Sequence, residues 1–327
     1  MPKNPFYDSS KTHHTPHGFQ YPEPIAFELQ NVWKWRVQRS YNRYPHPPQG
    51  GYEAFSREWW QAAEFTFDND AVWWLGHATL LFRIGQQTVL TDPQFSLRAS
   101  PLSFVGPKRK TPLAATIDQL PHIDVIVISH HHYDHLDAPS IRALISRFPE
   151  CQFLVPLGVK ALVTSLGARY VSELDWWQDI TLNGTLFTFV PAKHWSARGL
   201  TDRNRTLWGG WMFNRAGRNY YFMGDTGYST LLHEIPRRLG PIDFAAIPIG
   251  AYAPRWFMQS QHIDPQQAVQ LHQELGCRRS LAIHWGVFEL ADEPIDEPPR
   301  YLAEALKTQR LTPDSFSAIR MGDFLAL

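Results

Sequence analysis

The stretch that most constrains this chain is Val125–Ser129 together with the histidine-rich segment next to it. Val-Ile-Val-Ile-Ser is a continuous apolar run, the pattern of a strand covered on both faces. It leads directly into His130-His131-His132-Tyr133-Asp134-His135-Leu136-Asp137. Within that segment His130, His132, Asp134 and His135 stand in the spacing His-x-His-x-Asp-His. Imidazole nitrogens and a carboxylate oxygen are the donors that zinc and similar divalent ions accept. A tight turn after a strand sends alternate side chains toward two neighbouring points. His130 and His132 are then expected on one ion, Asp134 and His135 on a second. A merely solvated polar loop would not place an acid at this spacing.

The surrounding pattern supplies a scaffold. Strands are expected at Ala71–Leu75, Thr79–Ile84 and Thr88–Thr91, then at Val125–Ser129, Phe153–Pro156, Thr181–Leu182 and Leu186–Val190. Further strands are expected at Leu207–Phe213, Tyr220–Met223, Phe244–Ile249 and Ser280–Ile283. A helix should start after Asp137, with Pro139 in its first turn and Ile141, Leu144, Ile145 and Phe148 on one side. Others are expected at Val159–Leu166, at Pro265–Leu275 behind an Asp264 cap, and at Tyr301–Leu311. Two mixed sheets packed face to face, with helices outside each, satisfy this order. Residues 1–60 read differently. They are rich in Pro, His, Tyr and Asn, with one short helix around Ile25–Arg39, and are expected to wrap the domain formed by residues 61–327.

Three more donors share the structural context of the first cluster. His194 follows Leu186–Val190, Asp225 follows Tyr220–Met223, and His284 ends Ser280–Ile283. All lie at expected C-terminal ends of strands, where distant segments meet at one sheet edge. Together they complete two sites: His130, His132 and His194 on one ion, Asp134, His135 and His284 on the other, with Asp225 bridging. Three ligands plus a bridge leave room for water, as in a catalytic rather than a structural centre.

Composition narrows the partners. Lys plus Arg and Asp plus Glu number 31 each, so bulk electrostatics does not draw this chain to nucleic acid. Two cysteines, Cys151 and Cys277, build no disulfide framework and suit a reducing, cytoplasmic setting. The N-terminal residues carry no apolar signal-peptide core, and no run is long enough to span a bilayer.

The ligand pattern resembles that of the metallo-β-lactamase superfamily, in which His-x-His-x-Asp-His is followed by His, Asp and His. Longer motifs are similar to the N-acyl-phosphatidylethanolamine-hydrolysing phospholipase D family: Trp74-Leu-Gly-His-Ala-Thr79, Thr91-Asp-Pro-Gln-Phe-Ser96, Gly106-Pro-Lys-Arg109, Glu173-Leu-Asp-Trp-Trp177, Gly224-Asp-Thr-Gly-Tyr228, Ile247–Met258 and Ala282-Ile-His-Trp-Gly286. The match runs from about Trp73 to Phe324. His131 and Lys193 stand where animal members usually carry Asn and Gln, and the arm resembles bacterial relatives.

The resemblance implies an αββα sandwich, of the α/β (α+β) class, and a phospholipase D reaction. N-acyl-phosphatidylethanolamine would yield N-acylethanolamine and phosphatidic acid through hydroxide generated on two Zn2+ ions. It implies catalytic roles for Asp134, Asp225 and His262, substrate contacts at Tyr133 and His262, and orienting roles for Asp92 and His77. A phospholipid substrate, peripheral membrane contact and a homodimer belong to the same expectation. Aromatics at Trp176-Trp177 and Tyr252–Phe257 are read as acyl-groove or membrane-surface residues, with core packing an equal alternative. Rival readings are a lactonase, nuclease or other phosphodiesterase on the same scaffold, and a non-catalytic lipid-binding module.

Overall fold

The computed structural model describes residues 4–23, 29–66 and 68–327. A short hairpin of β1 (His14–Thr15) and β2 (Gly18–Phe19) opens the chain, followed by α1 (Leu29–Asn42) and α2 (Gly51–Trp59). The first four positions of the helix expected at Ile25–Arg39 lie outside the described residues. The first sheet contains β3 (Ala71–Gly76), β4 (Thr79–Ile84), β5 (Gln87–Thr91), β6 (Val125–Val127), β7 (Gln152–Pro156) and β8 (Tyr170–Leu174). The second contains β9 (Asp179–Leu182), β10 (Thr185–Val190), β11 (Gly210–Arg215), β12 (Arg218–Phe222), β13 (Phe244–Pro248), β14 (Arg279–Ile283) and β15 (Phe316–Ser317). β16 (Phe324–Ala326) returns to the first sheet and pairs antiparallel with β3.

Both sheets are mixed. In the first, β16, β3, β4 and β5 are antiparallel neighbours, whereas β5 to β8 run parallel. In the second, β9 to β12 are antiparallel and β12 to β15 parallel. Parallel neighbours require crossovers, and helices supply them except between β5 and β6, where the link carries only a 3-10 turn at Ile117–Gln119. α3 (Ala138–Arg147) and α4 (Lys160–Ser165) cover the first sheet, while α5 (Glu234–Leu239), α7 (Pro265–Glu274) and α8 (Glu297–Thr308) serve the second. The short α6 (Arg255–Met258) lies between β13 and α7.

Strand parity explains the layering. On β3, Ala71, Trp73 and Leu75 join the core under the helices, and Val72 and Trp74 join the core between the sheets. On β6, Ile126 faces the helices and Val125 and Val127 face the opposite sheet. Each strand therefore needs apolar residues at every position, which is why both runs are unbroken. Phe82 sits 5.4 Å from Phe213 and 6.0 Å from Phe244, both edge-on, so aromatic contacts lock the two sheets together.

Helix starts follow the caps. Asp137 accepts from the Ser140 amide at 3.2 Å, and Asp264 from that of Gln267 at 2.8 Å, each with a proline in the first turn. Two element starts differ from expectation by three residues or more. The strand expected at Leu207–Phe213 starts at Gly210, because its partner β10 ends at Val190, opposite Gly210. The preceding Leu207 and Gly209 amides instead bond the Leu157 and Ser129 carbonyls. The last helix begins at Glu297 rather than Tyr301, with Pro298 and Pro299 in the first turn, where a missing N–H costs nothing. Cys151 and Cys277 are free and lie in different cores.

Among the described residues before position 61, Phe19, Tyr21 and Phe55 join the core of the sandwich. The segment carrying Lys11, His13 and His14 is anchored by Asp175, whose buried carboxylate accepts from Lys11 Nζ, His13 Nε2 and His14 Nε2 at 2.6, 2.7 and 2.9 Å. His13 also stacks on Trp176, which is core rather than groove.

Candidate metal centre

The parallel strands deliver their C-terminal ends to one edge of the sandwich, where the two sheets meet. β5 leads to Asp92, β6 to His130, β12 to Asp225 and β14 to His284, while β10 leads to His194. His77 occupies the tight turn between β3 and β4. His77, Asp92 and His284 have φ of +54°, +34° and +62°, backbone that non-glycine residues rarely adopt and that clusters at functional sites. Gly224, at φ +65°, lets the Asp225 turn pass the His130 loop. A Cβ there would fall 2.8 Å from the Ser129 Cβ and 2.9 Å from the Gly209 carbonyl.

Seven donors converge at this edge in two groups. His130 Nε2 lies 2.7 Å from His132 Nδ1, which lies 3.4 Å from His194 Nε2. Asp134 Oδ2 lies 3.3 Å from His135 Nε2 and 3.4 Å from His284 Nε2. Asp225 stands between them. Its Oδ2 is 3.2 Å from His135, 3.8 Å from His194 and 4.0 Å from His130, and its Oδ1 is 3.1 Å from His284.

The outer nitrogens reveal which ring atoms are free. His194 Nδ1 donates to the Gln261 carbonyl, so its Nε2 lone pair points inward. His135 Nδ1 donates to Asp92 Oδ2 at 2.6 Å, which turns its Nε2 inward toward Asp225. His130 Nδ1 donates to Ser129 Oγ, which in turn donates to Asp92 Oδ2 at 2.5 Å. One buried carboxylate thus fixes a histidine tautomer in each group. His77 Nε2 donates to Asp134 Oδ2 at 3.0 Å and orients that carboxylate.

Electrostatics point the same way. Burial, then the neighbouring His135 charge, holds His130 well below its ordinary pKa; burial pushes His194 down to about 4. These rings are neutral, as ligands must be. Burial would also lower His284, but Asp225 and Asp134 outweigh it and lift the ring to about 9. The cluster around Asp134 and Asp225 therefore calls for positive charge. Asp225 Oδ1 and His284 Nε2 approach without hydrogen-bond alignment, and buried His132 Nε2 and His262 Nδ1 have no partner. Converging lone pairs, two carboxylates and fixed tautomers fit divalent cations.

The centre floors a cavity of about 760 Å3. Its walls are largely apolar, with Trp35, Trp195, Leu200, Trp256, Phe257 and Leu290, and Arg36 and Arg203 also line it. His262 lies in it, with Nδ1 3.9 Å from Asp225 Oδ2. Tyr133 does not face the cavity. Its hydroxyl donates to the Arg198 carbonyl at 3.0 Å and its ring lies under the Arg198 guanidinium. Sequence reasoning missed Trp195, edge-on to His132 at 4.4 Å, and Ser129. Each adjoins one of the converging histidines in the chain, and that adjacency is the signal that could have found them.

This fold and this centre define a metal-dependent hydrolase. Residues 87–285 match the model of the beta-lactamase superfamily domain. Two solved structures share the fold. A metallo hydrolase from Ignicoccus hospitalis has TM-score 0.59 and 20% identity, covering 78% of this chain and 97% of that one. A possible metal-dependent hydrolase from Veillonella parvula has TM-score 0.63 and 16% identity, covering 79% and 99%. In sequence, a Caenorhabditis elegans N-acyl-phosphatidylethanolamine-hydrolyzing phospholipase D is 40% identical over 262 residues, 76% of this chain and 74% of the relative. The mitochondrial enzyme of the same description from Saccharomyces cerevisiae is 35% identical over 236 residues, 70% of this chain and half of the relative. The chain belongs to the N-acyl-phosphatidylethanolamine-hydrolysing phospholipase D-like family of the metallo-β-lactamase superfamily.

Proposed function

We propose that this chain hydrolyses the phosphodiester of N-acyl-phosphatidylethanolamine, releasing N-acylethanolamine and leaving phosphatidic acid. The observation that carries the reading is the pairing of two donor triads about Asp225 with an apolar cavity above them. His130, His132 and His194 would hold one divalent ion, and Asp134, His135 and His284 a second, with Asp225 shared; zinc suits this nitrogen-rich set. When bound, such ions lower the pKa of water toward ~7 and neutralise charge gathering on phosphoryl oxygens.

The chain's own residues do the rest. Asp92 and Ser129 keep His135 and His130 in the tautomer that presents Nε2. His77 keeps Asp134 aimed. Burial holds His262 neutral, pushed down to about 3, so its ring carries one N–H to offer a phosphoryl oxygen or the departing alkoxide. The P–O bond to the ethanolamide breaks as water oxygen bonds phosphorus, and the alkoxide leaves as the alcohol. The aromatic wall of Trp35, Trp256 and Phe257 excludes water and takes the acyl chains.

Helix α1 supports contact with a lipid surface. Trp33, Val37 and Tyr41, one helical turn apart, are 70%, 50% and 87% exposed. Lys34 and Arg36 lie among them and the helix has no acid, while Arg39 pairs with Asp292 and Trp35 lines the cavity. Among the described residues no helix is long and apolar enough to cross a membrane.

Reaction in oxygen-18 water tests the chemistry. The label should enter phosphatidic acid and not N-acylethanolamine; label in the alcohol would mean attack at carbon. Turnover of a lactone with none of any phospholipid would overturn the lipid reading.

A further inference from the structure

We propose that Arg198 is a positioning residue that sets the geometry of the His130–His135 ligand loop and ties it to the loop carrying His194. The proposal rests on the reading of those histidines as metal ligands.

The Arg198 Nη1 group donates to two carbonyls, those of His131 and Leu136, each at 2.7 Å. His132, Asp134 and His135 lie between those two carbonyls, so one nitrogen spans the segment that supplies ligands to both ions. The guanidinium lies 3.9 Å above the Tyr133 ring, and the Tyr133 hydroxyl returns a hydrogen bond to the Arg198 carbonyl at 3.0 Å. Arg198 and Tyr133 thereby clasp each other, side chain to ring and ring to backbone. Asp202 aims the arginine by accepting the Arg198 and Gly199 amides at 3.0 and 2.8 Å. Arg198 follows His194 by only four positions, so the clasp fixes the separation of two ligand loops that leave different sheets.

Arginine suits this task for a geometric reason. Its planar group offers two hydrogens from one nitrogen in fixed directions, with the remaining plane free to cover a ring. Lysine keeps the charge and loses the fork. Tyr133, expected to contact substrate, instead acts through Arg198.

Metal affinity of the apoprotein, measured by competition with a zinc-chelating dye, tests the proposal. Arg198→Met should weaken zinc binding by roughly 10- to 100-fold, the usual effect of losing groups that orient ligands. Arg198→Lys should recover only part of the loss, and Tyr133→Phe should lose less than Arg198→Met. A merely structural role would lower the apoprotein's thermal midpoint and leave the dissociation constant of the folded fraction unchanged. An Arg198→Met protein with parental affinity would overturn the proposal. Should that variant not fold, Asp202→Ala keeps the arginine but removes its aim. A weakened dissociation constant there supports the clasp, and an unchanged one overturns it. A parent that binds no divalent ion would overturn the ligand assignment itself, and this proposal with it.

Discussion

Asp92→Asn is the substitution that most directly tests how the centre is organised. Asp92 is fully buried, and its two oxygens accept three hydrogen bonds: Oδ1 from the Ser129 amide at 2.7 Å, Oδ2 from the Ser129 hydroxyl and His135 Nδ1. An asparagine of the same shape must turn its NH2 toward one side. Facing Ser129 N–H, it meets a donor that cannot change. Facing His135, it forces the proton onto Nε2, aimed at Asp225 Oδ2 3.2 Å away, where a cation should sit. Loss of one charge-assisted hydrogen bond costs about 1.5–3 kcal/mol. A 10- to 100-fold loss of metal affinity is about 1.4–2.7 kcal/mol, so the two routes agree. Because Ser129 relays Asp92 to His130, both ions should weaken. Zinc content after dialysis against buffered free zinc reads affinity, and urea unfolding of the apoprotein reads stability. Two ions bound with parental affinity would refute the tautomer argument.

Phe82→Ala should destabilise the protein by about 3–5 kcal/mol, since Phe82 is fully buried between the sheets and its loss leaves a cavity there; urea unfolding with an unchanged slope checks this, and a cost under about 1 kcal/mol would place the interface elsewhere. Burial alone would raise the Asp175 pKa, but hydrogen bonds from His13 and Lys11 outweigh it and hold the carboxyl well below its ordinary 3.8. A depressed carboxylate stabilises the fold above its unfolded pKa, and that contribution is lost as pH falls through the folded value. Thermal midpoints from pH 5 downward should therefore fall less steeply in Asp175→Asn than in the parent.

Much of the scaffold was legible because the signals are local. The apolar runs at Ala71–Leu75 and Val125–Ser129 announced strands buried on both faces, and Asp137-Ala-Pro and Asp264-Pro announced helix starts. β16 and β8 were not legible. β16 is three residues long, and its existence depends on an open edge at β3, distant in the chain. β8 is a partly exposed edge strand that lacks a continuous apolar run.

For the centre, the sequence by itself determined the donor inventory. Spacing within six residues named His130, His132, Asp134 and His135, because ligand type and turn geometry act over short range. Position after strands then named His194, Asp225 and His284. Only the tertiary structure decided which ring nitrogen each histidine turns inward, that His132 presents Nδ1 where His130, His135, His194 and His284 present Nε2, and that Asp92 reaches His135 directly and His130 through Ser129. It also decided that the Tyr133 hydroxyl meets the Arg198 carbonyl, and that α1 supplies Trp35 to the cavity wall. The reason is physical. A side chain's type and its place on a strand are properties of the local chain, whereas the direction of its hydrogen bonds is set by neighbours that only folding brings within 3 Å.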